Sequence, residues 1–200
     1  MIDAALRRQI DDTVASQQPL LIVLAGSNGA GKSTFYRHAL GDYGIPFINA
    51  DEIARQIRGH YIAADDPLAY EAMGLAEQER QRLVAERRSF IMETVLSDPE
   101  GAKLAFFQEL VTAGYFLFLV YIRLEDPTIS MTRVMQRVDG GGHDVPDDKL
   151  LARFPRTKAN AAEALKLASL ALVLDNSDTE EPYRWVETWQ NGTLVEKATQ

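Results

Sequence analysis

Residues 20–33, which read LLIVLAGSNGAGKS, decide the fold of this chain. The first six residues of this stretch are all apolar, which is typical of a strand buried on both faces of a parallel sheet. The remaining residues, 26–33, fit the pattern G-x-x-x-x-G-K-S/T. A helix from about Ser33 to Leu40 is expected to follow, which completes the strand, turn and helix that this pattern requires. The stretch therefore predicts a phosphate-binding turn in an α/β fold.

The residue types in this turn suit a nucleoside triphosphate. Glycines let the backbone curl so that successive N–H groups point at phosphate oxygens, and the following helix adds the positive end of its dipole. We expect Lys32 to reach the β- and γ-phosphates of ATP and the Ser33 hydroxyl to complete the coordination of Mg²⁺. The predicted nucleotide-binding residues of the turn are Gly26, Ser27, Asn28, Gly29, Ala30, Gly31, Lys32, Ser33 and Thr34.

Outside this stretch, short apolar runs alternate with longer helix-like stretches, which predicts a parallel α/β sheet. The expected architecture is a three-layer P-loop fold in one domain, residues 1–200, with a five-stranded, mainly parallel sheet. The later strands are predicted at residues 45–50, 89–94, 115–122 and 170–174. We also expect an N-terminal helix within residues 1–18 and an edge hairpin over residues 183–196, around the Asn191-Gly192 turn.

Local signals predict where helices begin and bend. Residues 97–100 (SDPE) have the form of a capping box, and Pro155 is expected to bend or break its helix. Trp185 and Trp189 are expected on one face of the edge strand, as packing residues rather than as a base-stacking platform. The expected N-cap residues of other helices are Asp51, Asp66 and Asp126.

The composition limits the classes of function. The chain has 200 residues with 21 Lys+Arg against 29 Asp+Glu, a formal net charge of −8. This acidity argues against nucleic acid or an anionic membrane as a partner, because phosphate contacts need clustered cations. The absence of cysteine excludes disulfides, thiolate metal sites and a cysteine nucleophile. No apolar run is long enough to span a bilayer and no targeting segment is evident, so a cytoplasmic protein is expected.

The phosphate-binding turn alone does not separate a kinase from a motor ATPase or a GTPase. Transporter-type ATPases need a signature loop resembling LSGGQ and an apolar strand that ends in Asp-Glu, and neither occurs in the sequence. A GTPase needs an Asn-Lys-x-Asp guanine motif, which is also absent from the sequence.

Polar residues at the predicted ends of the second and third strands favour a small-molecule kinase. Asp51 follows the second strand, at the sheet edge where α/β proteins bind ligands. Its carboxylate is suited to accept a hydroxyl proton from a substrate; residue type alone favours a plain helix N-cap, and the two roles are compatible. Glu93 and Thr94 end the third strand at the same edge, where they are expected to hold the substrate hydroxyl or simply to be polar where the strand surfaces.

Residues 133–158 are predicted to form a helical lid. Residues 123–158 carry seven Lys/Arg against six acids and so escape the general acidity. Arg133 and Arg137 are i,i+4 neighbours, and Arg153 and Arg156 follow a break at residues 140–142. Two helices joined by a glycine turn can carry arginines onto a transferring phosphate, whereas a lone arginine is more often on a solvated face. His143, beside that break, has no evident partner in the sequence and is expected to be structural or exposed.

Several segments occur along the chain in a characteristic order. They are 25–34 (AGSNGAGKST), 47–55 (FINADEIAR), 90–97 (FIMETVLS), Arg133 with Arg137, 141–146 (GGHDVP), 153–156 (RFPR) and 174–177 (LDNS). As an ordered set, they resemble the zeta toxin family of P-loop kinases, in particular its branch of short stand-alone bacterial proteins. The resemblance spans about residues 20–178.

The resemblance implies transfer of the ATP γ-phosphate to the 3′-hydroxyl of UDP-N-acetylglucosamine, and a small antitoxin protein on another chain that blocks the nucleotide site. It implies that Lys32 holds the phosphates, that Asp51 is the base and that Glu93 and Thr94 contact the substrate. The lid arginines would be Arg137 with Arg153 or Arg156, and Asn176 would lie near the adenine. Two alternatives stay open: an ATP-dependent binding switch without a small acceptor, and a polynucleotide 5′-hydroxyl kinase, which the missing basic groove disfavours.

Overall fold

Seven strands form one mixed sheet in the computed structural model, which describes residues 2–59, 66–139 and 145–199. The strands are β1 (Leu20–Ala25), β2 (Phe47–Ile48), β3 (Phe90–Thr94), β4 (Phe116–Arg123), β5 (Leu170–Asp175), β6 (Arg184–Gln190) and β7 (Thr193–Lys197). Their order across the sheet is β2-β3-β1-β4-β5-β6-β7. The first five strands are parallel, and β6 and β7 continue the sheet as an antiparallel hairpin. The predicted five-stranded parallel sheet with its edge hairpin is therefore confirmed.

The helices alternate with these strands along the chain. They are α1 (Ala4–Ser16), α2 (Lys32–Phe35), α3 (Ala50–Arg58), α4 (Pro67–Ala85), α5 (Ala102–Thr112), α6 (Pro127–Asp139) and α7 (Asp147–Leu167). After Phe35, α2 widens into a π-helical turn and then tightens into a 3-10 turn. Within the described ranges, none of the helices combines the length and the apolar character needed to cross a bilayer.

The apolar core lies on both faces of the sheet because every residue of β1 is buried. Leu21 and Val23 join α4, α5 and α7 on one face, which we call the α4/α5/α7 face. Leu20 and Ile22 join α1 and α2 on the other, the α1/α2 face. Alternate side chains of a strand point to opposite faces, so the uninterrupted apolar run of β1 is what a three-layer fold requires.

Two of the predicted N-caps are confirmed and one is wrong. The carboxylates of Asp66 and Asp126 accept the N–H groups two residues ahead. Helix α3, however, begins at Ala50, because the cap is Asn49 rather than Asp51. Both residue types are good caps, so the choice between them depends on where β2 ends.

One further local prediction fails, and of the bend or break predicted at Pro155 the break does not occur. Residues 97–100 do not cap α5, which begins at Ala102 after Gly101 in the left-handed conformation and has no side-chain cap. Pro155 does not break its helix, since α7 runs through it without interruption. Pro155 removes the hydrogen bond to the carbonyl of Leu151, and Leu151 is exposed, so water can replace the missing donor.

The predicted common face of Trp185 and Trp189 is also wrong. One residue step on β5, from Val173 to Leu174, spans two steps on β6, from Glu187 to Trp185, which is a β-bulge. An extra residue reverses the face to which the following side chains point. Trp185 accordingly packs on the α1/α2 face, and Trp189 packs on the α4/α5/α7 face.

Replacing Ile10 with alanine tests whether α1 is an integral part of the core. Ile10 is fully buried on the α1/α2 face, so Ile10→Ala is expected to lower the free energy of unfolding by about 2–5 kcal/mol. Denaturant titration measures the loss. The exposed Val195 of β7 is the control, and Val195→Ala is expected to change stability by only about 0.5 kcal/mol. Equal losses in the two variants would contradict the packing of α1.

Candidate active site

The turn between β1 and α2 can be built only with glycine at its key positions. Gly26, Gly29 and Gly31 have φ angles of +151°, +71° and +95°. A Cβ on Gly26 would lie 2.3 Å from the backbone carbonyl oxygen of Ile122, and a Cβ on Gly31 would lie 2.7 Å from the side-chain amide nitrogen of Asn176. Both distances are shorter than non-bonded atoms allow, so a side chain at either position would clash with neighbouring atoms. This explains why glycine stands at these positions of the turn.

Lys32, the first residue of α2, is buried with its ammonium inside the turn. The Nζ atom donates to the carbonyl oxygens of Gly26 at 2.9 Å and Ser27 at 3.0 Å. It also lies 3.8 Å from a carboxylate oxygen of Glu93. Burial lowers the pKa of Lys32, and the Glu93 carboxylate opposes that shift. Two of the three ammonium donors are thus fixed by the backbone, which directs the third toward Glu93 and the space beside it.

Glu93 joins the turn to the neighbouring strands. It is the penultimate residue of β3, where Leu24 of β1 is its neighbour across the sheet. One carboxylate oxygen accepts the Ser33 hydroxyl at 2.8 Å and the side-chain amide of Asn49 at 3.1 Å. Glu93, which was predicted to contact a substrate, therefore contacts Lys32 and Ser33. These are the residues predicted to hold the phosphates and the metal ion.

Asn49 is a residue that the sequence interpretation missed. Its side-chain oxygen caps α3 by accepting the N–H groups of Asp51 and Glu52, while its NH₂ group holds Glu93. The cap preference of asparagine was a usable signal, but it competed with that of Asp51 two residues later.

Because Asn49 caps α3, the Asp51 carboxylate is not used as a cap, and it lies exposed in the first turn of α3. The pKa of Lys32 shows which charges surround it. Burial lowers that pKa most strongly, Glu93 raises it, Arg137 lowers it further and Asp51 raises it. Asp51 and Arg137 therefore both lie within electrostatic range of the Lys32 ammonium.

Thr94 shapes the segment that follows β3. Its hydroxyl oxygen accepts the N–H of Leu96 at 2.9 Å, and Leu96 has the left-handed φ of +57°. From α7, the Thr157 hydroxyl donates to the carbonyl oxygen of Val95 at 2.9 Å. The predicted substrate residue therefore lies at the base of a turn that α7 holds in place.

Helix α6 presses on the tip of the turn. The Ser130 hydroxyl donates to the carbonyl of Asn28 at 2.6 Å, and a Cβ on Gly29 would lie 3.1 Å from the Cβ of Arg133. Arg133, predicted to bind the nucleotide, therefore lies beside the turn. In the described part of the chain, Ser27 Oγ and Asn28 Oδ1 are buried without a hydrogen-bond partner. Orphaned polar atoms in such a turn fit a site for a polar ligand.

Helix α7 also brings Lys158, which the sequence interpretation did not single out, close to the turn. A cavity of about 10 Å³ beside Ser27 is lined on α7 by Phe154, Thr157 and Lys158. Arg156 and Lys158 are both exposed and Arg153 is half-buried, so the roles predicted for Arg153 and Arg156 stay predictions. The predicted break at residues 140–142 and His143 lie outside the described residues.

Asn176 and Tyr183 contact the turn from the connection between β5 and β6. The Asn176 side chain donates to the carbonyl of Ala30 at 2.8 Å and accepts the N–H of Tyr183 at 3.2 Å. The Tyr183 hydroxyl donates to the carbonyl of Gly31 at 2.9 Å. Asn176, predicted to lie near an adenine, thus has its amide engaged with the backbone. Tyr183 was missed, because no motif marks it.

The sequence profile of the Zeta toxin family matches residues 3–185. A protein of Haemophilus influenzae, described only as uncharacterized, is 31% identical over 137 residues, which is 66% of this chain and 91% of that protein.

Solved structures show the same fold at low identity. The AvrRxo1-ORF1:AvrRxo1-ORF2 complex with sulphate ions has a TM-score of 0.68 at 17% identity and covers 96% of this chain and 67% of that one. Solved with ATP, the same complex has a TM-score of 0.62 at 15% identity, with the same coverage of 96% and 67%. The PezAT chromosomal toxin–antitoxin system of Streptococcus pneumoniae has a TM-score of 0.59 at 18% identity, with coverage of 94% and 81%.

The contact between Glu93 and Lys32 gives a testable titration. The Glu93 charge raises the pKa of Lys32 against the effect of burial, so Glu93→Gln is expected to move that pKa further below its ordinary value. An NMR titration of the Lys32 side-chain nitrogen measures the shift. Glu187→Gln is the matched control, because Glu187 pairs with Lys197 on the edge hairpin. An unchanged or higher pKa of Lys32 in Glu93→Gln would contradict the contact.

Proposed function

Since the chain belongs to the Zeta toxin family, we propose that it is an ATP-dependent kinase that phosphorylates a hydroxyl group of a small molecule. One observation carries the proposal: Lys32, Ser33 and Glu93 converge at the sheet edge where β1 and β3 end, and the Asp51 carboxylate lies within electrostatic range of Lys32. A buried cation, a hydroxyl, a bound carboxylate and an exposed carboxylate are the groups that phosphoryl transfer needs.

The groups that the turn offers are suited to bind the phosphates of ATP. Its glycine conformations form a backbone cradle, and the buried Ser27 hydroxyl, which can donate, has no hydrogen-bond partner within the described residues. The Lys32 ammonium has one donor left for a phosphate oxygen after its two backbone bonds. The AvrRxo1-ORF1:ORF2 complex, which shares the fold, has been solved with ATP, and this supports the choice of nucleotide.

Ser33 and Glu93 are the residues suited to Mg²⁺. They offer a hydroxyl and a carboxylate, and Mg²⁺ prefers oxygen ligands while keeping several of its waters. When bound with a nucleotide, the ion supplies neutralisation of the phosphate charge. We therefore assign Glu93 to the metal side of the site rather than to the acceptor, and Thr94 remains the candidate on the acceptor side.

Asp51 is the group we assign as base. The acceptor oxygen forms a bond to the γ-phosphorus, the bond from that phosphorus to the oxygen of ADP breaks, and the hydroxyl proton passes to the Asp51 carboxylate. The carboxylate is exposed to an incoming acceptor and is not used in capping α3. Lys32, with Arg137 nearby, stabilises the charge on the transferred group. Roles for Arg133 and Arg153 stay predictions.

UDP-N-acetylglucosamine is the acceptor that family membership favours, through its 3′-hydroxyl. A small antitoxin on a separate chain is the corresponding partner, and the fold shared with the PezAT toxin–antitoxin system supports it. A screen with γ-labelled ATP over nucleotide sugars and other hydroxyl metabolites tests the acceptor. Label on a 5′-hydroxyl oligonucleotide would instead identify a polynucleotide kinase. ATP-dependent dimerisation in size-exclusion chromatography, without label transfer, would identify a binding switch.

Two substitutions separate nucleotide binding from transfer. Lys32→Ala is expected to abolish both, because the buried cation meets the phosphates. Asp51→Asn is expected to keep ATP binding and to lower the turnover number by roughly 10²–10⁴-fold, as for loss of a general base. Calorimetry measures binding, and label transfer measures turnover. Asp42→Asn, an exposed carboxylate in another short helix, is the control. Normal turnover by Asp51→Asn would refute the base assignment.

Lys158 is the α7 cation that we assign to the transferred phosphate, since it lines the cavity at Ser27. Lys158→Ala is expected to lower the turnover number by roughly tenfold or more, whereas Arg156→Ala leaves it nearly unchanged. Steady-state label transfer at saturating ATP compares the two variants. A larger loss of turnover in Arg156→Ala than in Lys158→Ala would contradict this assignment and support the role predicted for Arg156.

A further inference from the structure

A clamp from the far end of the chain holds the last two carbonyls of the phosphate-binding turn. Asn176 donates to the carbonyl of Ala30, and the N–H of Tyr183 donates to the same Asn176 side chain. The Tyr183 hydroxyl then donates to the carbonyl of Gly31. These three hydrogen bonds form a closed path that leaves the turn at Ala30 and returns to it at Gly31.

The clamp is packed against the turn as well as bonded to it. A Cβ on Gly31 would lie 2.7 Å from both Asn176 Nδ2 and Tyr183 Oη. The Tyr183 ring meets the Phe35 ring edge-on, with the centroids 5.4 Å apart. Tyr183 itself has a φ of +59°, a left-handed conformation that is unfavourable for a residue other than glycine. Strain of this kind persists only where the surrounding contacts over-determine the residue.

The hydrogen bonds fix the direction of two N–H groups. In a trans peptide unit, the C=O of one residue and the N–H of the next point in opposite directions. Holding the carbonyls of Ala30 and Gly31 toward the clamp therefore aims the N–H groups of Gly31 and Lys32 away from it. The Gly31 carbonyl also accepts the N–H of Phe35 at 2.8 Å, so both of its lone pairs are used and its plane is set.

We propose that Tyr183 and Asn176 are positioning residues, which aim the N–H groups of Gly31 and Lys32 at a phosphate group of the nucleotide. The inference rests on the proposed function as an ATP-dependent kinase. Burial raises the pKa of Tyr183, so its hydroxyl remains protonated and able to donate at neutral pH. Neither residue touches the reacting atoms, and both act through the backbone of the turn.

The test compares two tyrosines that each lose one buried hydroxyl. Tyr183→Phe keeps the ring on Phe35 and removes the donor to Gly31. Tyr115→Phe removes a hydroxyl that donates to the backbone carbonyls of Leu83 and Arg88, away from the turn. We expect Tyr183→Phe to weaken ATP binding by roughly three- to tenfold, as for one hydrogen bond. We expect Tyr115→Phe to reduce thermal stability without changing ATP affinity.

Two readouts separate positioning from simple stabilisation. Calorimetry well below the melting temperature measures the dissociation constant for ATP, and kinetics are expected to show a raised KM for ATP with an unchanged KM for the acceptor. In the nucleotide-free protein, the NMR amide signals of Gly31 and Lys32 are expected to shift in Tyr183→Phe but not in Tyr115→Phe. Asn176→Asp, which loses the donor to Ala30 and keeps the acceptor for Tyr183, is the second variant and is expected to act in the same direction.

The outcomes distinguish this inference from the function on which it rests. An unchanged dissociation constant for ATP in Tyr183→Phe and Asn176→Asp would overturn the positioning role and leave the kinase proposal standing. An equal loss of affinity in Tyr115→Phe would overturn it too, because the effect would then follow stability alone. A wild-type chain that does not bind ATP would overturn both.

Discussion

The burial of one lysine ammonium is the constraint on which the site depends. A charge removed from water needs compensating dipoles and an opposite charge. Lys32 obtains the dipoles from the carbonyls of Gly26 and Ser27 and the charge from Glu93. The turn must therefore curl over the lysine, and β3 must end beside β1. Because Asn49 binds the same carboxylate, the start of α3 and with it Asp51 are also placed by this requirement.

The site is consequently assembled from chain segments that meet only in the folded state. The turn follows β1, Glu93 lies one residue before the end of β3, Lys158 comes from α7 and Tyr183 precedes β6. The parallel sheet makes this possible, because the carboxyl ends of its strands share one edge. Residues 123–158 carry seven Lys/Arg against six acids and so escape the net charge of −8 of the whole chain, which suits a small anionic ligand and not a polyanion.

Features encoded within a few neighbouring residues could be predicted, and features that depend on distant contacts could not. The strand and turn of residues 20–33 can be predicted from the sequence, because the apolar run, the glycines and the lysine are contiguous. The bond of Ser33 to Glu93 joins residues 60 positions apart, and that of Tyr183 to Gly31 joins residues 152 apart, so neither leaves a local pattern. The failed prediction of a common face for Trp185 and Trp189 has the same origin, since the bulge exists only in the pairing with β5.

The distance along the chain between the turn and its clamp has a consequence for biosynthesis. A chain is made from its N-terminus, so β1 and the turn leave the ribosome long before Asn176 and Tyr183. The carbonyls of Ala30 and Gly31 cannot receive the clamp until those residues have emerged and β5 has joined the sheet. The phosphate-binding turn is thus synthesised well before it can be completed, and a nascent chain that has not yet exposed Asn176 and Tyr183 lacks the contacts that hold the last two carbonyls of the turn.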